Sequence, residues 1–348
     1  MKVMHLLRSN KFSGAENVVI QIIKEFEDDK DIEMTYVSPV GLIENKLKEA
    51  GVNYLMLDKF DARNIDAAIK RLQPDIIHAH DFSASIMASK YYKDMKVISH
   101  IHNNPLWLPH INIRTVAYAL SIHRYCKIIG VSDAVRDEFV FKKLMNNKFL
   151  KIPNVVNKEN VLRNGRLYKE ADISDVLFVG RLTPQKKPLM FLEISKNLLK
   201  NNPTLKIYMV GDGELRNECE AYIKDNNLKD NVKLLGFQDN PHKYMNATKV
   251  LVLPSAYEGF GLVAIEAMLQ KRVVVCSGVG GLSDIVDNQC GFICDTIENY
   301  VAVIEKVLND KKLREEMGDK AYQKACTFTD LENQKKKILN VYEEVEKV

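Results

Sequence analysis

Short apolar runs rich in β-branched residues alternate with longer amphipathic stretches along the first half of the chain. Residues 3–7, 34–37, 75–79, 96–101 and 127–131 read as strands, and the segments between them have helical spacing. A second series at 176–179, 206–210, 232–235, 250–253 and 272–276 repeats the alternation. Continuously apolar strands separated by helices predict parallel sheets covered on both faces. The expected fold class is therefore α/β, with two Rossmann-like halves. Between them, the polar stretch 153–171 contains Asn164-Gly165 and lacks strong periodicity, which predicts a linker. The expected domains are 1–157 and 158–328. Beyond Thr329-Asp330, a suitable N-cap, Ile338, Val341, Tyr342 and Val345 fall on one helical face, so 329–348 is expected to be a terminal helix.

Length and composition narrow the function. A chain of 348 residues is long for one core and ample for two domains. With 46% apolar and 28% charged residues it has the make-up of a globular protein, not a disordered one. A formal charge of +4, without an arginine-rich arm or an aromatic RNA-binding signature, argues against nucleic acid as the partner. The six cysteines form no C-x-x-C pair, which predicts reduced thiols and neither a disulfide frame nor a zinc site. Arg8 cuts short the apolar start before a signal-peptide core can form, and no run of about 18 apolar residues occurs. A cytoplasmic protein is expected, one that meets a membrane only at its inner surface.

Open α/β sheets bind ligands beyond the carboxyl ends of their strands, so chemistry is sought in those loops. The phrase from Pro254 to Met268, PSAYEGFGLVAIEAM, directly follows the apolar run 250–253. Gly259 and Gly261 allow backbone to approach a ligand where a helix begins, and free amides there suit a phosphate. Leu262 and Glu266 stack at i, i+4, so Glu266 projects beside the same ligand and suits a ribose diol, while Glu258 suits sugar hydroxyls. Either glutamate alone reads as an ordinary surface residue; the strand, E-G-F-G entrance and helix together do not. Two carboxylates near a diphosphate require cations. Arg181 and Lys186, in GRLTPQKKP after the run 176–179, supply a planar fork and a compact charge.

Other features carry less. Gly14, in SGAE after the first strand, marks a strand-to-helix turn, and Gly278, Gly280 and Gly281 mark another. His78, His80, His100 and His102 cluster at two strand ends. Residues i and i+2 share a strand face, so His100 and His102 point the same way. A metal site, a core role and a polar site role for His102 all remain open for that pair; the first lacks a third ligand in fixed register. Asp29 to Asp31 spells D-x-D within a charged run, which reads as a solvated loop and not as a metal motif.

Taken together, these motifs resemble the GT-B glycosyltransferases of family 4 across nearly the whole chain. EGFGLVAIEAM resembles the family's E-x7-E signature, GRLTPQKKP its phosphate-clamp strand end, and Gly14 its N-terminal glycine loop, with Ser13 where a second glycine is common. The resemblance implies two Rossmann-like domains facing each other across a cleft, the last helix crossing back onto the first. It implies a retaining transfer from a nucleotide diphosphate sugar, most often carried on UDP, with no divalent metal or other cofactor. Arg181 and Lys186 would bind the diphosphate, Glu258 the transferred sugar and Glu266 the ribose. Amides of Gly261, Leu262 and Val263, beside Gly259 and Phe260, would assist. Gly211, Gly236 and Phe237 would frame the base, and His102 would sit near the donor sugar. Lys187 stands where the family often has glycine. Rival classes are a nucleotide-sugar epimerase and a non-catalytic sugar-nucleotide module, against which the E-x7-E phrase and the intact clamp weigh.

The acceptor, a glycan or lipid-linked group, is expected to meet the first half. There Trp107, Leu108, Ile111 and Ile113 lie among His110, Arg114, His123 and Arg124, with Lys142-Lys143 and the basic residues of 148–166 nearby. Such a face suits anionic lipid. An ordinary core helix with a solvated edge fits the same residues.

Overall fold

The computed structural model describes residues 1–347. The chain divides into two compact units, 1–154 with 331–348, and 155–330. In the first, strands β1 (Lys2–Leu6), β2 (Glu33–Pro39), β3 (Tyr54–Leu57), β4 (Ile76–His80), β5 (Lys96–Ile101), β6 (Lys127–Gly130) and β7 (Phe149–Lys151) form one sheet. Their order is β3-β2-β1-β4-β5-β6-β7, and the pairings are parallel. In the second unit, β8 (Val176–Val179), β9 (Ile207–Val210), β10 (Val232–Leu234), β11 (Val250–Leu253), β12 (Val273–Cys276) and β13 (Gly291–Ile293) run in the order β10-β9-β8-β11-β12-β13, again parallel. Both sheets are Rossmann-like, as the alternation of apolar runs and amphipathic segments predicts.

The strand order reverses between β1 and β4 in one sheet and between β8 and β11 in the other. Helices leave such a point toward opposite faces, which opens a crevice at the strands' carboxyl ends. The central strands are apolar because both faces are covered: every residue of β8, β9, β11 and β12 is buried. Phe178, Phe191, Leu198, Ile207, Val252 and Tyr300 belong to the core that results.

Three strands lie outside the sequence expectation. β3, β7 and β13 are short and sit at sheet edges, where a strand is incompletely covered and lacks a continuous apolar signature. The stretch 153–171 is also more ordered than a linker. Asn157 caps a helix, Lys158–Gly165, by accepting a hydrogen bond from the Asn160 N–H at 2.9 Å. Asn164-Gly165, which reads as a turn, closes this helix; Gly165 is buried where a Cβ would meet the Gln270 Oε1 at 1.9 Å. The terminal helix Leu331–Glu346 buries Ile338, Val341, Tyr342 and Val345 within the first unit, on the face their spacing marks out.

Candidate functional site

The carboxyl ends of β8 and β11, neighbours at the second unit's switch point, gather most of the expected site residues. β8 runs into Gly180-Arg181, and a tight turn returns Gln185 and Lys186 to the strand end. The Gln185 carbonyl accepts from the Ala256 N–H at 2.7 Å, and its amide donates to the Tyr257 carbonyl at 3.2 Å. This stitches the loop after β8 to the loop after β11. Lys186 Nζ then pairs with Glu258 Oε2, and Ser255 Oγ donates to the same oxygen at 3.4 Å. Both partners of the ion pair are mostly buried, with side chains 15% and 16% exposed, so water screens them little. Arg181 stays exposed, its guanidinium donating to Gln185 Oε1 at 3.1 Å.

Between the two lysines the backbone distinguishes roles. Lys187 is exposed and has φ 47°, a left-handed conformation that favours glycine, immediately before Pro188 opens the helix Pro188–Asn201. That geometry accounts for glycine being common there in the family this motif resembles. Lys186, not Lys187, reaches the glutamate.

Gly261, at φ 110°, sits at the N-cap of the helix Leu262–Met268. Its carbonyl accepts from Ala264 and Ile265, so the N–H groups of Leu262 and Val263 precede the first intrahelical bonds. Glycine is required twice over, since a Cβ would also press on Leu282 at 2.7 Å. Phe260 is buried against Phe328, at 5.7 Å between ring centroids, and anchors the loop from beneath. Glu266 lies on this helix with Oε2 3.7 Å from His242 Nε2. His242, which begins the helix His242–Asn246, is absent from the sequence expectation because its partner lies 24 positions away with no spacing rule to connect them.

Gly211 and Gly236 meet at the ends of β9 and β10, where the Gly211 N–H donates to the Gly236 carbonyl at 2.8 Å. Gly211, at φ 132°, packs its Cα so close to Gly180 that a Cβ would lie 1.9 Å from the Gly180 carbonyl oxygen. Phe237 beside them is exposed. An open aromatic face next to close-packed backbone suits a flat ring.

In the first unit, Gly14 is exposed and opens the helix Gly14–Glu25; Ser13 donates to Glu16 and makes no side-chain cap bond. His102 follows β5. It is 8% exposed, its N–H donates to Asp81 Oδ1 at 3.1 Å, and its Nε2 lies 2.9 Å from His80 Nδ1. Burial pushes the imidazole pKa down to about 3, and pushes the Asp81 carboxyl up to about 6 with help from the charge of Glu16. Asp81 itself is held at φ 67°.

His102 is one of five. His5, His78, His80, His100 and His102 are all buried on β1, β4, β5 and the turn after it. Parallel register sets His5 opposite His78 and His80 opposite His100, which is why the five side chains share a face. The trios His5, His78, His80 and His80, His100, His102 each bring three ring nitrogens within 4.8 Å of one another, so either has the donor set for a metal. Asp29 to Asp31 remains a turn closed on itself, the Asp31 N–H donating to Asp29 Oδ1 at 3.1 Å.

The segment around residue 110 divides its apolar side chains. Leu108 is buried and Trp107 packs edge-on against Phe82 at 5.1 Å, while Ile111 and Ile113 are exposed. Asn112 caps the helix Ile113–Ser121, whose inner face buries Thr115 and Tyr118 and whose outer face exposes Ile113, Val116 and Leu120. Among the described residues no helix is long and apolar enough to cross a membrane.

Comparison with known proteins places the chain among glycosyltransferases. The family model described as glycosyltransferase family 4 matches residues 12–160, and that of glycosyl transferases group 1 matches 165–324. The chain is 28% identical over 333 residues to an uncharacterized glycosyltransferase of Methanocaldococcus jannaschii, covering 86% of this chain and 87% of the relative. It is 28% identical over 268 residues to the UDP-Gal:alpha-D-GlcNAc-diphosphoundecaprenol alpha-1,3-galactosyltransferase of Escherichia coli, covering 70% and 69%. The crystal structure of Anabaena HepE in complex with UDP superposes with a TM-score of 0.86 at 20% identity, covering 99% of this chain and 100% of that one. The chain belongs to the GT-B glycosyltransferases of family 4.

Proposed function

We propose that this protein transfers a hexosyl or N-acetylhexosaminyl group from a UDP-sugar to a lipid-linked or glycan acceptor, with retention of configuration and without a divalent metal. The observation that carries the proposal is the convergence of Lys186, Arg181 and Glu258 on two adjacent strand ends. In the unliganded pair Lys186 neutralises Glu258; a diphosphate beside them offers the ammonium a second anion, and the carboxylate is then available to sugar hydroxyls. Negative charge growing on the leaving diphosphate is stabilised by Lys186 and Arg181 in a partly dry setting, the task a metal performs elsewhere. Glu266, steadied by His242, takes the ribose diol. The amides of Leu262 and Val263 add donors to the phosphates, and Gly211, Gly236 and Phe237 receive the base. In the first unit Gly14 leaves its turn open to phosphate, and His102 offers a neutral imidazole to a carbohydrate hydroxyl. Attack from the leaving-group face through an oxocarbenium-like state needs no covalent carboxylate.

The donor assignment draws support from HepE, whose solved complexes include UDP and UDP-glucose. The acceptor assignment draws on relatives named for diphosphoundecaprenol-linked substrates in Escherichia coli and Campylobacter jejuni. A place in cell-surface polysaccharide or glycoconjugate synthesis at the inner face of the membrane follows from that chemistry. A screen of sugar nucleotides by hydrolysis and thermal shift tests the donor. Lys186→Ala, Arg181→Ala and Glu258→Ala each lower turnover about a hundredfold or more while the fold persists. Parental turnover in these variants refutes the site, and activity lost to chelator and restored by magnesium refutes the metal-free route. Conversion of the free sugar nucleotide into an isomeric sugar nucleotide, with no acceptor present and no nucleoside diphosphate released, identifies an epimerase instead.

A further inference from the structure

Burying five imidazoles together is costly unless their nitrogens find partners. Four of the contacts that satisfy them form two separate chains. In one, His5 Nδ1 lies 3.0 Å from His80 Nε2, and His80 Nδ1 lies 2.9 Å from His102 Nε2. In the other, the Tyr342 hydroxyl lies 2.7 Å from His78 Nδ1, and His78 Nε2 lies 3.1 Å from His100 Nδ1. The open ends, His5 Nε2, His102 Nδ1 and His100 Nε2, are buried and have no protein partner.

The geometry favours shared protons over a shared ion. A tetrahedral zinc with bonds of about 2.0 Å holds its ligand nitrogens roughly 3.3 Å apart, with in-plane lone pairs converging on it. Here linked nitrogens face each other at hydrogen-bond distance: His80 and His102 lie nearly end to end, their centroids 5.1 Å apart and their planes tilted by 27°, while His100 stacks on His102 with centroids 4.1 Å apart.

A neutral imidazole has one N–H and one bare nitrogen. His80 is bonded through both, so the first chain has only two complete proton arrangements. Either all three rings carry the proton on Nδ1, or all three carry it on Nε2. His102 cannot change form without His80 and His5 changing too.

We propose that His80, and behind it His5, are positioning residues that hold His102 in its Nε2–H form and so present Nδ1 as a bare acceptor for a sugar hydroxyl. The Nε2–H form is the more stable one for a free imidazole, and the chain applies that preference three times. The effect on turnover rests on the proposed contact between His102 and carbohydrate; the proton arrangement does not, because it belongs to the free protein.

The test is two-bond ¹H–¹⁵N spectroscopy of the full chain with ring-labelled histidine. In the wild type, His102 shows a protonated Nε2 and a bare Nδ1, with ¹⁵N–¹⁵N coupling to His80 across the hydrogen bond. His80→Leu removes the coupling and gives a mixture of His102 forms. His5→Leu, which leaves the His80–His102 bond in place, shifts the balance of His102 forms less than His80→Leu does although it does not touch His102, and His80→Asn, whose amide oxygen can accept in the place of Nδ1, restores a single form. Turnover per donor, as kcat/KM, falls about tenfold in His80→Leu and recovers in His80→Asn. A protonated Nδ1 in the wild type, an unchanged His102 signal in His80→Leu, or one equivalent of bound metal overturns the proposal. Should His80→Leu not fold, the wild-type coupling decides alone. If His102→Ala keeps full turnover, the functional role of His102 fails, and the spectra still decide the chain.

Discussion

At the scale of single residues, the histidines make stability depend on acid. His5 and His102 titrate near 3 in the folded protein against about 6.5 when free, and His78, His80 and His100 are also lowered, all chiefly by burial. Between those values the unfolded chain binds more protons, so stability is full above pH 6.5 and is lost as pH falls toward 3. Each histidine contributes up to about 1.4 kcal/mol per pH unit in that window. Two carboxyls act oppositely. Burial raises Asp81 to about 6 and Glu25 to about 7, so the folded state binds protons there first and gains as pH falls. Five groups outweigh two: Tm is expected to drop between pH 7 and 5, and His5→Gln should flatten that slope. A Tm that rises over this range contradicts the neutral cluster. Lys187→Gly provides a second residue-level check. It relieves a left-handed backbone at a cost or gain within about 1 kcal/mol and keeps turnover, whereas Lys186→Ala does not. Equal loss in both variants would mean that the two lysines share the clamp.

At the scale of elements, legibility depends on how locally each signal is written. The loop after β11 is one continuous phrase, so its glycines and both glutamates stand out in the amino-acid sequence. Lys186 is equally plain, but its pairing with Glu258 spans 72 positions and depends on β8 lying beside β11. His5, His80 and Tyr342 are invisible as partners for the same reason: register across β1, β4 and β5 brings the histidines together, packing of the helix Leu331–Glu346 brings Tyr342 to His78, and no spacing encodes either. The edge strands and the helix Lys158–Gly165 leave little trace because partial exposure dilutes periodicity. Gly211, at the junction of β8 and β9, makes the close approach measurable. Gly211→Ala places a methyl against the Gly180 carbonyl and should destabilise the second unit by about 3 kcal/mol or more. An unchanged urea midpoint would show that the loop yields freely.

At the scale of the molecule, the first unit exposes both apolar and basic side chains. Ile113, Val116 and Leu120 form the outer face of one helix, with Arg114 beside them and Lys142 and Lys143 also exposed in the same unit. Isolated exposed apolar residues are ordinary, but three on one face beside Arg114 suit an anionic bilayer. Flotation with vesicles rich in anionic lipid should recover the protein, recovery should fall with salt, and Ile113→Asp with Leu120→Asp should abolish it. Indifference to lipid charge rejects the membrane reading without touching the donor site.

The placement of the helix Leu331–Glu346 bears on how the protein is made. On the ribosome, residues 155–330 form an uninterrupted unit whose core can close as soon as its last helix emerges. The first unit is translated earlier yet lacks Ile338, Val341, Tyr342 and Val345 until afterwards. Its amino-terminal sheet is therefore incomplete until that last helix is supplied, and a released chain truncated after residue 330 should present a protease-sensitive beginning followed by a resistant middle.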